Sequence, residues 1–278
     1  MRLGAPIFED VSDPERWIDV LKRNGYGAAY CPVPLNAQTD VIHSFAKAAE
    51  HAKITIAEVG AWSNPLSPDE KIRQAALKKC SAALELAEEI GACCCVNISG
   101  SRGTQWAGPH PENLTVETFD AIVESVRCII DSVQPKRTFY ALEMMPWMYP
   151  DSPDCYLNLI QAVDRKQFGA HLDPVNLINS LQRYYSNGQL VRECIAKLGP
   201  HIKSCHAKDI IISERLTLHL DETRPGKGEL DYCTYLRELN QLPLDTPLLA
   251  EHLSNADEYA LAVEHIRTVA KNVDVTIY

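Results

Sequence analysis

Four residues carry the strongest chemical signal in the sequence: Glu143, Asp173, His206 and Glu251. Each closes a short apolar run: Ala141-Leu142-Glu143, His171-Leu172-Asp173, Cys205-His206 and Ala250-Glu251. Their separations match one strand–helix unit each, with extra chain before the last. If all four runs are strands that end on one side of a sheet, three carboxylates and one imidazole converge. Three carboxylates alone would repel one another strongly enough to keep a proton on one of them. A divalent cation removes that conflict. An oxygen-rich set with a single imidazole suits Mn, Mg or Co better than a structural thiolate zinc site. Taken singly, each acid has a plainer use, since Asp173 before Pro174 would serve equally well as a helix cap. All four together at successive strand ends point to a metal site.

The rest of the chain supplies the elements that would hold them. Apolar β-rich runs lie at 3–7, 28–33, 54–59, 93–98, 138–143, 168–172, 202–207 and 247–252. Between them, apolar residues recur at helical spacing over 14–23, 39–51, 70–90, 116–133, 157–163, 190–198, 232–240 and 256–270. Asp13-Pro14, Ser67-Pro68 and Asn255 stand where N-caps are expected. Strict alternation of this kind predicts parallel strands, and eight such units close into an α/β (β/α)8 TIM barrel. The alternative, an open doubly wound sheet, would carry a Gly-rich turn after its first strand, and no GxGxxG lies there. No linker or composition shift divides the chain, so residues 1–278 form one domain with the metal and active site at the C-terminal ends of strands five to eight.

Composition narrows the partners. The net charge of -10 argues against nucleic acid, which rewards clustered Lys and Arg. No apolar run approaches a membrane span. The sequence starts on a strand pattern without a leader-like segment, and its ten cysteines show no zinc-finger spacing. They read as small reduced core residues of a cytoplasmic protein, and association into a homo-oligomer is left open.

The segments His171-Leu172-Asp173-Pro174-Val175-Asn176-Leu177, His206-Ala207-Lys208-Asp209, Pro225-Gly226-Lys227-Gly228-Glu229-Leu230-Asp231-Tyr232 and Leu249-Ala250-Glu251, with Ala141-Leu142-Glu143, resemble the xylose-isomerase-like barrels of the sugar phosphate isomerase/epimerase superfamily. The resemblance spans essentially the whole chain. It implies a Mn-, Co- or Mg-dependent enzyme acting on small carbohydrates, with Glu143 and Glu251 as both ligands and acid/base groups. Ketose 3-epimerases, hydroxypyruvate isomerases and inosose dehydratases commonly place a His where this chain has Asn176, and 3-epimerases carry an acid and an Arg soon after the metal His, where this chain has Lys208-Asp209.

Moving a proton beside a carbonyl requires a base on carbon and stabilisation of the charge that develops on oxygen. Glu143 and Glu251, reaching in from different strands, would take and return protons while the cation acts as Lewis acid. Lys208 follows His206 by two residues and so points into the pocket, either to a substrate oxygen or phosphate or to a neighbouring acid. His171, two before Asp173, would orient a ligand, bind substrate or sit satisfied in the core. Asn97 at the end of strand four and, less strongly, Glu58 at the end of strand three would hydrogen-bond hydroxyls, and Asn176 after strand six is a further substrate-binding candidate. Arg224 sits in a loop beside Gly226 and Gly228, which permit a close backbone approach to a ligand. Trp62, Trp106, Trp147 and His110 lie in loops above the strands, where rings would stack on a sugar face or pin the loops.

These features support a metal-dependent isomerase or epimerase of a ketose, keto-sugar or related carbohydrate. A lyase that cleaves a 3-keto-glycoside or C-glycoside, or dehydrates a keto-polyol, would begin with the same proton abstraction. A barrel subunit that only binds a sugar or a partner chain is a third reading. A nuclease of related fold is excluded, because such enzymes use more His ligands, several metals and a basic face.

Overall fold

In the computed structural model, which describes residues 1–278, eight parallel strands form a nearly closed barrel ringed by helices. The barrel strands are β1 (Arg2–Gly4), β2 (Ala28–Tyr30), β3 (Thr55–Gly60), β4 (Cys94–Asn97), β5 (Phe139–Glu143), β6 (Phe168–Leu172), β7 (Ile202–Ala207) and β10 (Pro247–Ala250). They pair in the order β1-β10-β7-β6-β5-β4-β3-β2. At the remaining seam Gly27 donates its N–H to the Leu3 carbonyl at 2.9 Å, so β1 and β2 meet without a full ladder.

The helices are α1 (Pro14–Arg23), α2 (Thr39–Ala52), α3 (Glu70–Ile90), α4 (Val116–Val133), α5 (Pro153–Val163), α6 (Leu181–Tyr185), α7 (Asn187–Leu198), α8 (Tyr232–Leu239) and α9 (Ala256–Asn272). Local signals start them. Asp13 and Asn255 cap α1 and α9 by accepting from Arg16 and Glu258 amides, as the sequence suggested. The cap of α3 is Asp69 rather than Ser67; Ser67 Oγ instead accepts from the Asp69 amide at 3.2 Å. Helix α5 begins at Pro153, earlier than its apolar repeat, because Ser152 caps it and Pro fits the first turn. Strands β1, β2 and β10 stop short of the apolar runs that announced them, the run's last residues turning into loops.

The short helix α6 had no counterpart in the sequence reading, and neither had a hairpin. β8 (Asp209–Ser213) and β9 (His219–Thr223) form an antiparallel hairpin outside the barrel. Asp209 anchors its base: the carboxylate accepts from the amides of Ile210 and Leu230 at 2.9 Å, Gly226 at 2.9 Å and Gly228 at 3.0 Å. A Cβ at Gly228 would overlap Asp209 Oδ1 and the Ile210 carbonyl. Gly228 therefore allows close approach to an internal carboxylate, and a Cβ at Gly226 would meet the His265 ring; neither faces a ligand. All ten cysteines are free thiols, but the reading of them as core holds only for Cys80, Cys94, Cys95, Cys194 and Cys205; Cys31, Cys93 and Cys155 are half-buried and Cys128 and Cys233 exposed. No helix is long and apolar enough to cross a membrane.

Candidate metal centre

Parallel strands bring their C-terminal ends to one rim, and Glu143, Asp173, His206 and Glu251 meet there. One donor atom from each lies within 4.8 Å of all the others. His206 Nδ1 is 2.9 Å from Glu251 Oε1, 3.2 Å from Glu143 Oε1 and 4.0 Å from Asp173 Oδ2. Asp173 divides its work: Oδ1 accepts from the Val175 and Asn176 amides at 3.0 and 3.4 Å, which starts the turn after β6. Its Oδ2 faces the cluster. Asp173 Oδ2 and Glu251 Oε1 accept no well-aligned hydrogen bond and are met only by the Lys208 ammonium and the His206 ring, so three buried carboxylates share few positive charges, a condition that a hard cation relieves. The donor set and its excess of carboxylates fit a divalent cation.

Lys208 lies within this ring. Its ammonium is 2.6 Å from Glu251 Oε1, 2.8 Å from Asp173 Oδ2, 3.6 Å from Glu222 Oε2 and 3.8 Å from Glu143 Oε1. Strand alternation did aim Lys208 inward, and of its two sequence readings the geometry shows contact with neighbouring acids. Burial opposes its charge, but Asp173 and Glu251 hold its pKa well above the ordinary lysine value. His206 behaves alike: burial disfavours the imidazolium, yet Glu251 and Glu58 raise its pKa well above the usual range. Glu251 is depressed in spite of burial, chiefly by His206.

Above the cluster opens a cavity of about 600 Å³. Glu143 and Glu251, 6% and 9% exposed, line it; Asp173 and His206, at 0%, do not. Asn176 lines it too, donating to Glu143 Oε1 at 3.1 Å and the Met144 carbonyl at 3.0 Å, which fixes that glutamate. The far wall is apolar, with Trp62, Trp106, Trp147, Met145 and Pro146. Trp147 donates its indole N–H to the Ala107 carbonyl at 2.8 Å, so one group both pins a loop and presents a ring. A cleft of about 620 Å³ at the opposite, N-terminal rim has no such donor set, and its Arg2 is already paired with Asp245 at 2.6 Å.

Several expected contacts are not there. Asn97 is fully buried, accepting from the Ser63 amide at 3.0 Å and donating to Cys80 Sγ at 3.3 Å; it holds the loop after β3 rather than a hydroxyl. Arg224 turns away to Glu258 on α9 at 2.9 Å. His171 is buried behind His206, 3.0 Å from Glu58, and touches no part of the cavity. His110 caps a short turn through Glu112. Conversely, the pocket is completed by residues to which the sequence assigned no role: Tyr30, Glu222 and His252. Glu222 is carried in by the unforeseen hairpin and lies 3.1 Å from His252 Nδ1, so no strand-end pattern pointed to it.

This fold and rim define a class: a (β/α)8 barrel with a carboxylate-rich, single-histidine centre at the C-terminal ends of its strands. The sequence profile of the xylose isomerase-like TIM barrel family matches residues 6–269, and the chain belongs to that family. A search of curated proteins finds no match to the sequence. Among solved structures it is similar to a xylose isomerase-like TIM barrel protein from Mycobacterium smegmatis in complex with magnesium, with 16% identity, 95% of this chain and 90% of that one covered, and a TM-score of 0.65. It is also similar to D-psicose 3-epimerase with D-tagatose from Clostridium cellulolyticum, at 15% identity, 97% and 99% coverage and a TM-score of 0.68. Endonuclease IV from Thermus thermophilus aligns at 11% identity, 98% and 100% coverage and a TM-score of 0.74. At such identities the likeness establishes the fold alone.

Proposed function

We propose that the protein is a divalent-cation-dependent isomerase or epimerase that moves a proton on the carbon beside the carbonyl of a keto-sugar or related small carbohydrate. One observation carries the reading: of the four clustered donors, the two glutamates alone line the cavity, one closing β5 and the other just after β10. Glu143, Asp173, His206 and Glu251 would hold the cation, with Mn the best fit and Mg or Co alternatives. When bound, it supplies Lewis acidity for charge developing on a substrate oxygen. Glu143 and Glu251 take and return the proton at carbon, each contributing about 10²–10⁴-fold in the usual range for general acid–base catalysis. Asn176 holds Glu143 in place, and Lys208 offers its ammonium to the same oxygen-rich region.

The relative solved with D-tagatose supports a sugar substrate, and the one solved with magnesium supports a hard cation. The nuclease likeness is not favoured here, since the donor set has a single histidine and the chain is acidic. A lyase acting on a keto-glycoside is the second reading, and the indole wall favours it: about 600 Å³ would hold ~20 waters at ~30 Å³ each, more than one sugar ring displaces.

The test is proton–deuterium exchange at carbon in a panel of keto-sugars and aryl keto-glycosides with added Mn²⁺. Exchange with the carbon skeleton intact supports isomerisation or epimerisation, and release of the aglycone or water supports the lyase. No exchange in any Mn²⁺-loaded sample would refute both.

A further inference from the structure

Behind the proposed metal centre lies a second polar cluster that the proton-transfer chemistry does not use. Glu58, on β3, reaches across the barrel interior to β6 and β7 and is only 2% exposed. Its Oε2 is 3.0 Å from His171 Nε2 and accepts from Ser204 Oγ at 2.8 Å, while Oε1 is 3.2 Å from His206 Nε2. His171 and Ser204 are fully buried, and the two imidazoles stand edge to face with centroids 4.1 Å apart. None of these four residues lines the cavity. A carboxylate taken so far from water is costly unless it is surrounded by donors, and three converge on it here.

We infer that Glu58 is a positioning residue for the metal centre, fixing which nitrogen of His206 faces the cation. This rests on the proposed metal site. The two nitrogens of His206 look in opposite directions: Nδ1 toward Glu143, Asp173 and Glu251, Nε2 toward Glu58 alone. A ligating imidazole must present a bare lone pair on one nitrogen, and the hydrogen bond made by the other decides which. With its proton held on Nε2 by Glu58, His206 has Nδ1 free for the ring of carboxylates. His171 Nε2 and Ser204 Oγ sit against the other oxygen of the same carboxylate, so Glu58 is held from that side as well.

Glu58, His171 and His206 also satisfy the spacing of a three-residue metal group. Three observations disfavour that alternative. The Glu58 oxygens already have hydrogen-bond donors, the group is sealed from the cavity, and the other three carboxylates lie on the Nδ1 side of His206.

The experiment is calorimetric titration of cation-free protein with MnCl₂, comparing wild type, Glu58→Gln and Ser204→Ala. Ser204→Ala removes a donor to the same carboxylate without touching either imidazole. Wild type should bind one cation per chain. Glu58→Gln should bind it about 10–100-fold more weakly, the usual loss when a histidine's outer partner is removed, and Ser204→Ala should stay near wild type. Magnesium-loaded wild type, labelled with ¹⁵N-histidine, should show the His206 proton on Nε2 by long-range ¹H–¹⁵N correlation; this decides the matter even if Glu58→Gln fails to fold. A proton on Nδ1, unchanged affinity in folded Glu58→Gln, or two cations per chain would overturn the role of Glu58 while leaving a metal centre in place. Wild type that binds no cation at all would remove the metal centre itself, and this role with it.

Discussion

Replacing Lys208 by Met is the most revealing perturbation of the rim, because the ammonium and a cation would share the same oxygens. Lys208 is 2% exposed and stands 2.8 Å from fully buried Asp173 and 2.6 Å from Glu251. Removing one member of a buried ion pair costs about 3–5 kcal/mol, because the other is left charged and unpaired. At roughly 2 °C per kcal/mol for a domain of this length, cation-free Lys208→Met should melt about 6–10 °C below wild type. The same change should strengthen cation binding, since two unit charges 4 Å apart repel by about 4 kcal/mol at an effective dielectric of 20. Even a third of that, about 1.4 kcal/mol, is tenfold in affinity. Saturating Mn²⁺ at 100 times its Kd adds about 2.7 kcal/mol to either protein, and at one fixed concentration it should add more to the variant. Thermal melts with EDTA and with a MnCl₂ series read both effects. An unchanged melting temperature in EDTA, or weaker Mn²⁺ binding in the variant, would refute the shared-oxygen picture.

Protons and cation should compete at His206, whose pKa is raised above the ordinary 6.5; metal binding then releases a proton and strengthens as pH rises, measurable by calorimetry in buffers of different ionisation heat. Without cation, the raised His206 stabilises the fold fully below about pH 6.5 and loses this as pH climbs, whereas the depressed Glu58 stabilises above about pH 4.5 and loses this as pH falls. Chemical denaturation in EDTA should therefore find the greatest stability between those values, and a maximum above pH 8 would contradict it. Glu143→Gln and Glu251→Gln should each abolish deuterium exchange at carbon, and the decisive sample is a variant that still binds Mn²⁺; near-wild-type exchange in it would remove that glutamate from proton transfer. Asp209→Ala orphans the amides of Ile210, Gly226, Gly228 and Leu230, each worth about 1–3 kcal/mol when buried and unpaired, so urea denaturation should show a loss of several kcal/mol.

The barrel and its four-residue rim were legible in the chain because both follow from local rules. Periods of two and 3.6 residues mark strands and helices without reference to distant neighbours, and parallel connection sends every strand's C-terminal end to one rim. A polar residue that closes a strand run therefore has its destination written beside it, as Glu143, Asp173, His206 and Glu251 do. The destinations of the other polar side chains depend on partners far away in sequence. Asn97 had the right place for a hydroxyl contact, but Ser63 and Cys80 claim its amide. Arg224 stood beside two glycines suited to a ligand loop, yet Glu258 from the last helix takes its guanidinium and Asp209 takes the glycine amides. Lys208 was aimed into the pocket by alternation, while its choice among acids was made by the positions of Asp173 and Glu251, which follow the ends of β6 and β10. Glu58 meets His206 from 148 residues away, across the barrel. Short-range periodicity fixes which way a side chain points; only closure of the barrel decides what it meets there.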